Sequence, residues 1–443
     1  MRLRDAGLAL AGLAALILLG AVWALPPAAR ILPARVQAQI PDRLWALVET
    51  PLPTALPAAR VTAVPIAADL FQPVTSTPTA VSAPSPTFTP SAAEVAPPTP
   101  TPIPPTPTPV PSPTPTSAPL SASRINGFRI IAQTFNNCGP ANLTMALNYF
   151  SHNVHQADVS AIVNPIREDA NVNPWELVAY TNAHTPLTAE YFAGGDLDLL
   201  KRLIAAGFPV IVEKGYQPSE RLGWMGHYLT LVGYDDARQA FTAMDSYLGP
   251  WDSRGLHIAY EDLHAYWQQF NHTFIVVHPP QKSAQAAAIL GPAMLDRETM
   301  WRQAGQQAQT AVAANPNNAF AWFNLGTNLV RLGQRTSSQV YFDNAAAAYD
   351  QARAIGLPWR MLWYQFDIYD AYLAAGRYED VIALANLTVS GAGDRIIEES
   401  FLYRGHAYLA LGNLAQARLD YRRALALNPN YAAAQAALKE TLE

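Results

Sequence analysis

The chain has 443 residues, which is too long for one ordinary domain and predicts two or three. Half of the residues are hydrophobic and 14% are charged, so a sizeable core can form, and a net charge of -5 argues against a nucleic-acid partner. A single cysteine excludes an intramolecular disulfide and a four-cysteine zinc site.

Residues 1–25 have the pattern of a membrane segment. Arg2 and Arg4 precede about twenty apolar residues, enough to cross the hydrocarbon core as a helix. Positive charges before the apolar run favour a cytoplasmic N-terminus, with the rest of the chain outside. We expect an uncleaved anchor in the cell membrane, crossing it once. The alternative is a signal peptide cleaved near Ala24, which would release a secreted protein.

Residues 26–120 are rich in proline, threonine and serine, as in "APPTPTPIPPTPTPVPSPTPTSAP". Proline fixes φ and removes N–H donors, so this stretch favours extended polyproline II conformation. Such tracts are typical of extracellular stalks. We therefore predict a disordered linker that holds the following domain away from the membrane.

Globular composition begins near residue 121. The stretch "INGFRIIAQTF" has the β-branched and aromatic residues of a strand. In the following "NNCGPANLTMALNYF", apolar residues recur at helical spacing and predict a buried helix. Pro140 suits the first turn of that helix, so Cys138 would lie at its N-terminus. There the helix dipole and free N–H groups favour the reactive thiolate.

A thiolate nucleophile needs a base, and two later motifs supply candidates. "HYLTLVGY" predicts a strand with His227 at its start. "AFTAMDSY" predicts the next antiparallel strand, joined to the first by the turn "DDARQ". Asp245, near the end of the second strand, could then contact one nitrogen of His227 and leave the other facing the thiol.

The motifs "QTFNNCGPANLTMAL", "GHYLTLVGYDD" and "MDSYLGP", with the tail "YEDLHAYWQQFNHTFIVVHP", together resemble the double-glycine leader peptidase-like cysteine peptidases of the papain-like clan. The resemblance covers residues 121–280 and implies an α+β papain-like fold without cofactor or metal. It implies that Cys138 is the nucleophile, His227 the general base and acid, and Asp245 the orienting acid. Gln133 would donate to the oxyanion together with the Cys138 backbone N–H.

Other candidate sites in the sequence are weaker. His152 and His155 have metal-like spacing, but the sequence offers no third ligand, and we expect no metal. The phosphate-loop pattern that the exporters of the family have does not occur here. We therefore do not assume that the substrate is a double-glycine leader, as it is for those exporters. Trp175, Trp224 and Trp251 could line a peptide cleft, although we expect at least one of them to pack in the core.

Residues 284–443 predict an all-α domain of tetratricopeptide-like helical repeats. The clearest unit has the repeat spacing at Phe401, Gly405, Tyr408, Gly412, Ala417, Tyr421, Ala424 and Pro429. An earlier unit begins at Trp322 and resumes after an apparent insertion, "QRTSSQV", and "YLAAGRYEDVIALA" indicates a degenerate middle unit. We expect this module to bind a protein partner; the alternative is a structural cap on the peptidase.

The sequence thus predicts a membrane-tethered cysteine peptidase that faces the extracytoplasmic side and cleaves a peptide or protein substrate. One alternative is an inactive papain-fold binding module displayed on the stalk. Another is a thiol-dependent transferase or amidase on the same fold, because a fold does not determine its substrate.

Overall fold

The computed structural model of the protein describes two short pieces of the N-terminal part and most of the chain after it. The described residues are 55–59, 70–71, 120–166, 169, 171–217, 223–252, 254–389 and 397–442. The predicted anchor (1–25) and nearly all of the predicted stalk (26–120) lie outside them. None of the helices within these ranges is both long and apolar enough to span a bilayer.

Two pieces of the predicted stalk are part of the core, which differs from the disordered linker predicted for residues 26–120. Leu56 and Phe71 are 4% and 2% exposed. The Leu56 N–H donates to the Leu357 carbonyl at 2.8 Å, and the Phe71 ring occupies the space beside Gly305. Both contacts are with the helical region, where these apolar side chains leave water.

An antiparallel sheet of seven strands forms the centre of the α+β region in the described part of the chain. The strands are β1 Ala122–Arg124, β2 Thr188–Phe192, β3 Val210–Tyr216, β4 Met225–Asp235, β5 Ala240–Met244, β6 Leu256–Ala259 and β7 Phe274–His278. Their order is β2-β7-β3-β4-β5-β6, with β1 paired to β4. The long strand β4 pairs with β3 along 225–231 and with β5 along 230–235.

Helices cover both faces of this sheet. The α+β region contains α1 Cys138–Tyr149, α2 Gln156–Val163, α3 Pro174–His184, α4 Leu197–Ala205 and α5 Tyr260–Gln268. Side chains alternate along β3: Ile211 packs with α1 to α3, whereas Val210 and Val212 face a second core on the other side. Because both faces are buried, β7 is almost continuously apolar, as are the first three residues of β3.

The structure confirms most of the elements predicted for this region. The helix begins at Cys138. The strand that carries His227 pairs with the strand that ends just before Asp245, as expected. The strand predicted for "INGFRIIAQTF" is wrong. Its N–H groups find separate partners instead of a ladder: Ile125 donates to the Val232 carbonyl at 2.7 Å and Gln133 to the Ser246 carbonyl at 2.9 Å. The segment therefore adds no strand to the sheet.

The described residues after β7 are helical, which confirms the predicted change of architecture. A 3₁₀ helix, Pro280–Lys282, precedes α6 Ser283–Leu295, α7 Arg297–Ala314, α8 Ala319–Thr336 and α9 Gln339–Ile355. A second 3₁₀ helix, Trp359–Trp363, precedes α10 Asp367–Ala374, α11 Tyr378–Val389, α12 Glu398–Ala410, α13 Leu414–Leu427 and α14 Ala432–Glu440.

Small residues allow the paired helices to approach closely, as the repeat pattern predicts. A Cβ at Gly326 would lie 2.8 Å from the Tyr349 ring, and a Cβ at Gly405 would lie 2.5 Å from the Tyr421 ring. The two glycine–tyrosine contacts hold α8 to α9 and α12 to α13. The apparent insertion forms no long loop, because it extends α8 to Thr336, and Ser337 then turns the chain at a φ of 53°.

Candidate active site

Cys138 is the first residue of α1 and is half-buried. The fully buried Asn142 holds this end of α1 against β4: its Nδ2 donates to the carbonyls of Cys138 and Tyr228, both at 2.9 Å. Its Oδ1 accepts from the Thr230 hydroxyl at 2.7 Å. Asn142 therefore fixes the thiol next to the strand that carries His227.

His227 and Asp245 form a buried pair, 4% and 1% exposed. His227 Nε2 lies 3.0 Å from Asp245 Oδ1. The same oxygen accepts the N–H groups of Tyr247 at 2.8 Å and Leu248 at 2.9 Å. Because Nε2 is committed to the carboxylate, Nδ1 is the ring nitrogen left for the thiol.

The electrostatics of this pair favour its charged form. Burial alone would lower the pKa of His227, but the Asp245 carboxylate and the nearby Cys138 thiol raise this pKa to about 9. Burial would likewise raise the pKa of Asp245, but the positive imidazolium and the three hydrogen bonds hold it below the ordinary value. An imidazolium beside Cys138 stabilises a thiolate there.

Cys138 and His227 lie in one cleft. Its lining also includes Asn136, Gly139, Asn171, Val172, Glu213, Gly226, Tyr228 and Tyr364. The Cys138 thiol is one of the groups that raise the pKa of His227. The structure thus brings together the thiol, the imidazole and the carboxylate that the sequence motifs predicted.

Gln133 also lies at this site. Its Oε1 accepts from the Ser246 hydroxyl at 2.8 Å, and Ser246 directly follows Asp245. The Ser246 hydroxyl is in turn 3.1 Å from Asn142 Nδ2. With Oε1 engaged, the Nε2 amide of Gln133 is the group that can donate to an oxyanion, which agrees with the predicted role without testing it.

The sequence analysis missed several residues that support the site. Asn142 and Ser246 join the nucleophile, the base strand and Gln133, as described above. Gln156 holds the loop before Cys138, since its Oε1 accepts from the Thr134 N–H at 2.9 Å and from Asn137 Nδ2 at 2.8 Å. The sequence does contain a signal for Asn142: this polar residue lies on the apolar side of the helix, four residues after Cys138.

Glu213 is a further carboxyl group that the sequence analysis missed. It lines the cleft, is 5% exposed and lies opposite Tyr228 in the β3–β4 pairing. Burial raises its pKa well above the ordinary value, and the nearby Cys138 raises it further. The surroundings of Glu213 therefore favour its neutral form.

The remaining candidates have other surroundings. Trp224 is buried and stacks on Phe270 at 5.6 Å, so one of the three tryptophans does pack in the core, as predicted. Trp175 and Trp251 are 40% and 38% exposed. His155 precedes α2, where its N–H donates to Asp158 at 2.9 Å. Within the described ranges, no three His, Cys, Asp or Glu side chains are placed to hold a metal ion.

The fold is an α+β region followed by a helical region. More particularly, residues 125–275 match the model of the peptidase C39 like family, and residues 399–431 match the tetratricopeptide repeat. These matches confirm both resemblances predicted from the sequence. A comparison with curated proteins found no significant match.

Three solved structures show distant similarity to the chain. A protein described as a C39-like peptidase from Bacillus anthracis is 17% identical, with 35% of this chain and 97% of that chain covered and a TM-score of 0.29. A double glycine motif protease from an AMS/PCAT transporter, in complex with its leader peptide, is 17% identical over 35% and 98%, with a TM-score of 0.26. The peptidase domain of Streptococcus ComA, a bi-functional ABC transporter, is 16% identical over 34% and 98%, with a TM-score of 0.28.

Proposed function

We propose that this protein is a cysteine peptidase that uses Cys138, His227 and Asp245 as a catalytic triad. The observation that carries the proposal is the half-buried thiol at the start of α1, in one cleft with an imidazole that is hydrogen-bonded to a buried carboxylate. A nucleophile, a base and an orienting group in this relation are what acyl transfer requires. The match of residues 125–275 to the peptidase family supports the same conclusion.

The reaction begins with the Cys138 thiolate and the His227 imidazolium. Sγ attacks the peptide carbonyl carbon, and the oxygen takes up negative charge. The Cys138 N–H, free of a helical partner at the start of α1, and Gln133 Nε2 donate to this oxygen. The imidazolium gives its Nδ1 proton to the leaving amine as the C–N bond breaks, which leaves a thioester on Cys138.

Hydrolysis of the thioester completes the cycle. His227, now neutral, takes a proton from water, and the resulting hydroxide attacks the thioester carbonyl. The C–S bond breaks, the product leaves as a carboxylic acid that ionises, and Cys138 returns as a thiolate beside the imidazolium. Asp245 stays ionised throughout and holds the imidazole in orientation.

For the location of the enzyme, we propose a single-pass anchor at residues 1–25 and a stalk over most of 26–120, with the catalytic region outside the cell. Charge and composition of the N-terminal sequence support this proposal. Protease added to intact cells should then release the catalytic region by cutting in the stalk. Release only after lysis would reverse the orientation.

For the helical region, we propose a role in binding a protein partner. The tetratricopeptide match at residues 399–431 supports it.

An electrophilic peptide probe tests the proposed chemistry. The wild-type protein should be labelled at Cys138 without denaturant, and Cys138→Ala should not be labelled. His227→Ala should fold and yet react far more slowly, because the imidazolium that stabilises the thiolate is gone. Labelling that needs denaturant, or that proceeds equally fast in His227→Ala, would refute the triad.

A further inference from the structure

The cleft that contains Cys138 and His227 has a wall contributed by the helical region. Tyr364, directly after the 3₁₀ helix Trp359–Trp363, lines it together with residues of β3, β4 and α1. We propose that Tyr364 contacts the substrate and determines which side chains fit beside the scissile bond. This inference rests on the proposed peptidase function and makes the helical region part of the active site.

The position of Tyr364 relative to the proposed base carries the argument. A Cβ at Gly226, the residue before His227, would lie 2.9 Å from Tyr364 Cδ1 and 2.8 Å from Phe270 Cζ. The Tyr364 ring therefore lies directly on the backbone of β4, one residue from the imidazole. Because Tyr364 lines the same cleft as Cys138 and His227, a peptide whose carbonyl reaches Cys138 would have this ring beside its scissile bond.

Tyr364 is held firmly in place. Its ring packs edge-on against Trp224 at 5.9 Å and against Phe270 at 6.1 Å. On either side of it, Arg360 Nη1 donates to the Trp224 carbonyl at 3.3 Å and Gln365 Nε2 to the Gln269 carbonyl at 3.0 Å. A ring fixed by packing and by flanking hydrogen bonds can select among substrates, because it does not move aside without cost.

A second part of the cleft lining also contacts the helical region. Asn171 and Val172 line it, and Glu399 of α12 accepts from Asn171 Nδ2 at 3.3 Å and from Asn173 Nδ2 at 2.7 Å. The Tyr228 hydroxyl donates to the Val172 carbonyl at 2.9 Å and joins this wall to β4. The helical region thus contacts the lining of the cleft at two places, which a remote structural cap would not do.

The expected consequence is a limit on side-chain size. The aromatic face of Tyr364 occupies space that a bulky substrate side chain would need, so peptides with small residues next to the scissile bond should react faster. A shorter residue at 364 should open this space. A difference of one or a few methylenes in such a pocket changes reaction rates by roughly 10-fold to 200-fold.

The test uses peptidyl acyloxymethyl ketone probes that carry alanine or phenylalanine at each of the two positions before the warhead. The measured quantity is the ratio of the Cys138 labelling rates for the small and bulky probes. Tyr364→Ala and Tyr364→Leu should lower this ratio about 10-fold or more, and Tyr364→Phe should keep it. Tyr364→Leu serves as the test if the alanine variant folds poorly, because leucine keeps apolar packing on Trp224. Melting curves show whether each variant is folded.

The matched control is Trp359→Ala, which removes a ring of the same turn that packs on Trp363 at 4.8 Å. It should keep the wild-type ratio. If Cys138 reacts but the ratio in Tyr364→Leu equals that of the wild type, Tyr364 does not select substrates and the peptidase proposal stands. If wild-type Cys138 reacts with no probe unless denatured, the proposed function fails, and the inference fails with it.

Discussion

Substitution of Asp245 by asparagine should separate two effects of this side chain, its hydrogen bonds to the following turn and its negative charge beside His227. The asparagine oxygen can still accept the N–H groups of Tyr247 and Leu248, so the turn after β5 should persist. The negative charge that faces His227 Nε2 at 3.0 Å is lost. We therefore expect a folded protein in which the imidazolium is much less stable.

The magnitude follows from the pKa of His227, which the intact pair raises to about 9. Without the carboxylate it should fall to the ordinary value of about 6.5 or below, a change of about 3 kcal/mol in the stability of the imidazolium. At pH 8 the charged fraction would fall from about nine tenths to about 3%, and the rate of Cys138 acylation would fall roughly 30-fold. His227→Ala should lose more, since it removes the proton donor itself.

The assay is the rate at which a peptide mixture acylates Cys138 between pH 5 and pH 10, measured by mass spectrometry. The imidazolium loses its proton as pH rises, so the wild-type rate should fall as pH passes about 9. In Asp245→Asn this fall in rate should occur at a pH at least two units lower. Asp252→Asn, which removes an exposed carboxylate paired with Arg254, is the control and should leave the pH of the fall unchanged. The same pH in Asp245→Asn as in the wild type would refute the reasoning.

Three further predictions concern residues around the triad. Gln133→Ala should lower kcat by roughly 100-fold to 1,000-fold, and Gln133→Glu, which can still accept from Ser246 but has no amide N–H, should lose as much; a wild-type kcat in either would exclude the oxyanion role. Asn142→Ala should destabilise the fold by roughly 2–4 kcal/mol in urea unfolding, because it leaves buried partners on α1 and β4 without their hydrogen bonds, and a loss below about 1 kcal/mol would contradict this. Burial, with the nearby Glu398 and Glu176, raises the pKa of Glu399 well above the ordinary 4.5, so its contribution to stability falls as pH rises above about 4.5. Glu399→Gln should therefore lose less stability than the wild type between pH 5 and pH 8, and equal slopes in the two proteins would count against a raised pKa of Glu399.

The helix of Cys138 and the strands next to His227 and Asp245 were predictable because their signals are local. Apolar spacing after Pro140 and the turn between the two strands specify these elements within a few residues. The strand predicted before Cys138 was wrong for the same reason: its composition suits a strand, but its N–H groups bond to partners that are distant in sequence.

The supporting contacts of the site could not be predicted from one sequence. Ser246 bonds to Gln133 across 113 positions, and Glu399 bonds to Asn173 across 226. Tyr364 reaches the cleft from a 3₁₀ turn between two repeat units, where no sequence pattern marks it. These contacts depend on how the helical region packs on the sheet, which local propensity does not encode.

The most direct test of the account is to detect the acyl-enzyme. The wild-type protein is mixed with a peptide mixture, quenched in acid within the first turnover and measured as intact protein and as digested fragments by mass spectrometry. We predict an added acyl mass on the fragment that contains Cys138, new peptide termini in solution, and neither of these in Cys138→Ala. Peptide cleavage that persists in Cys138→Ala, or cleavage in the wild type without any adduct at Cys138, would contradict the proposal that this thiol is the nucleophile.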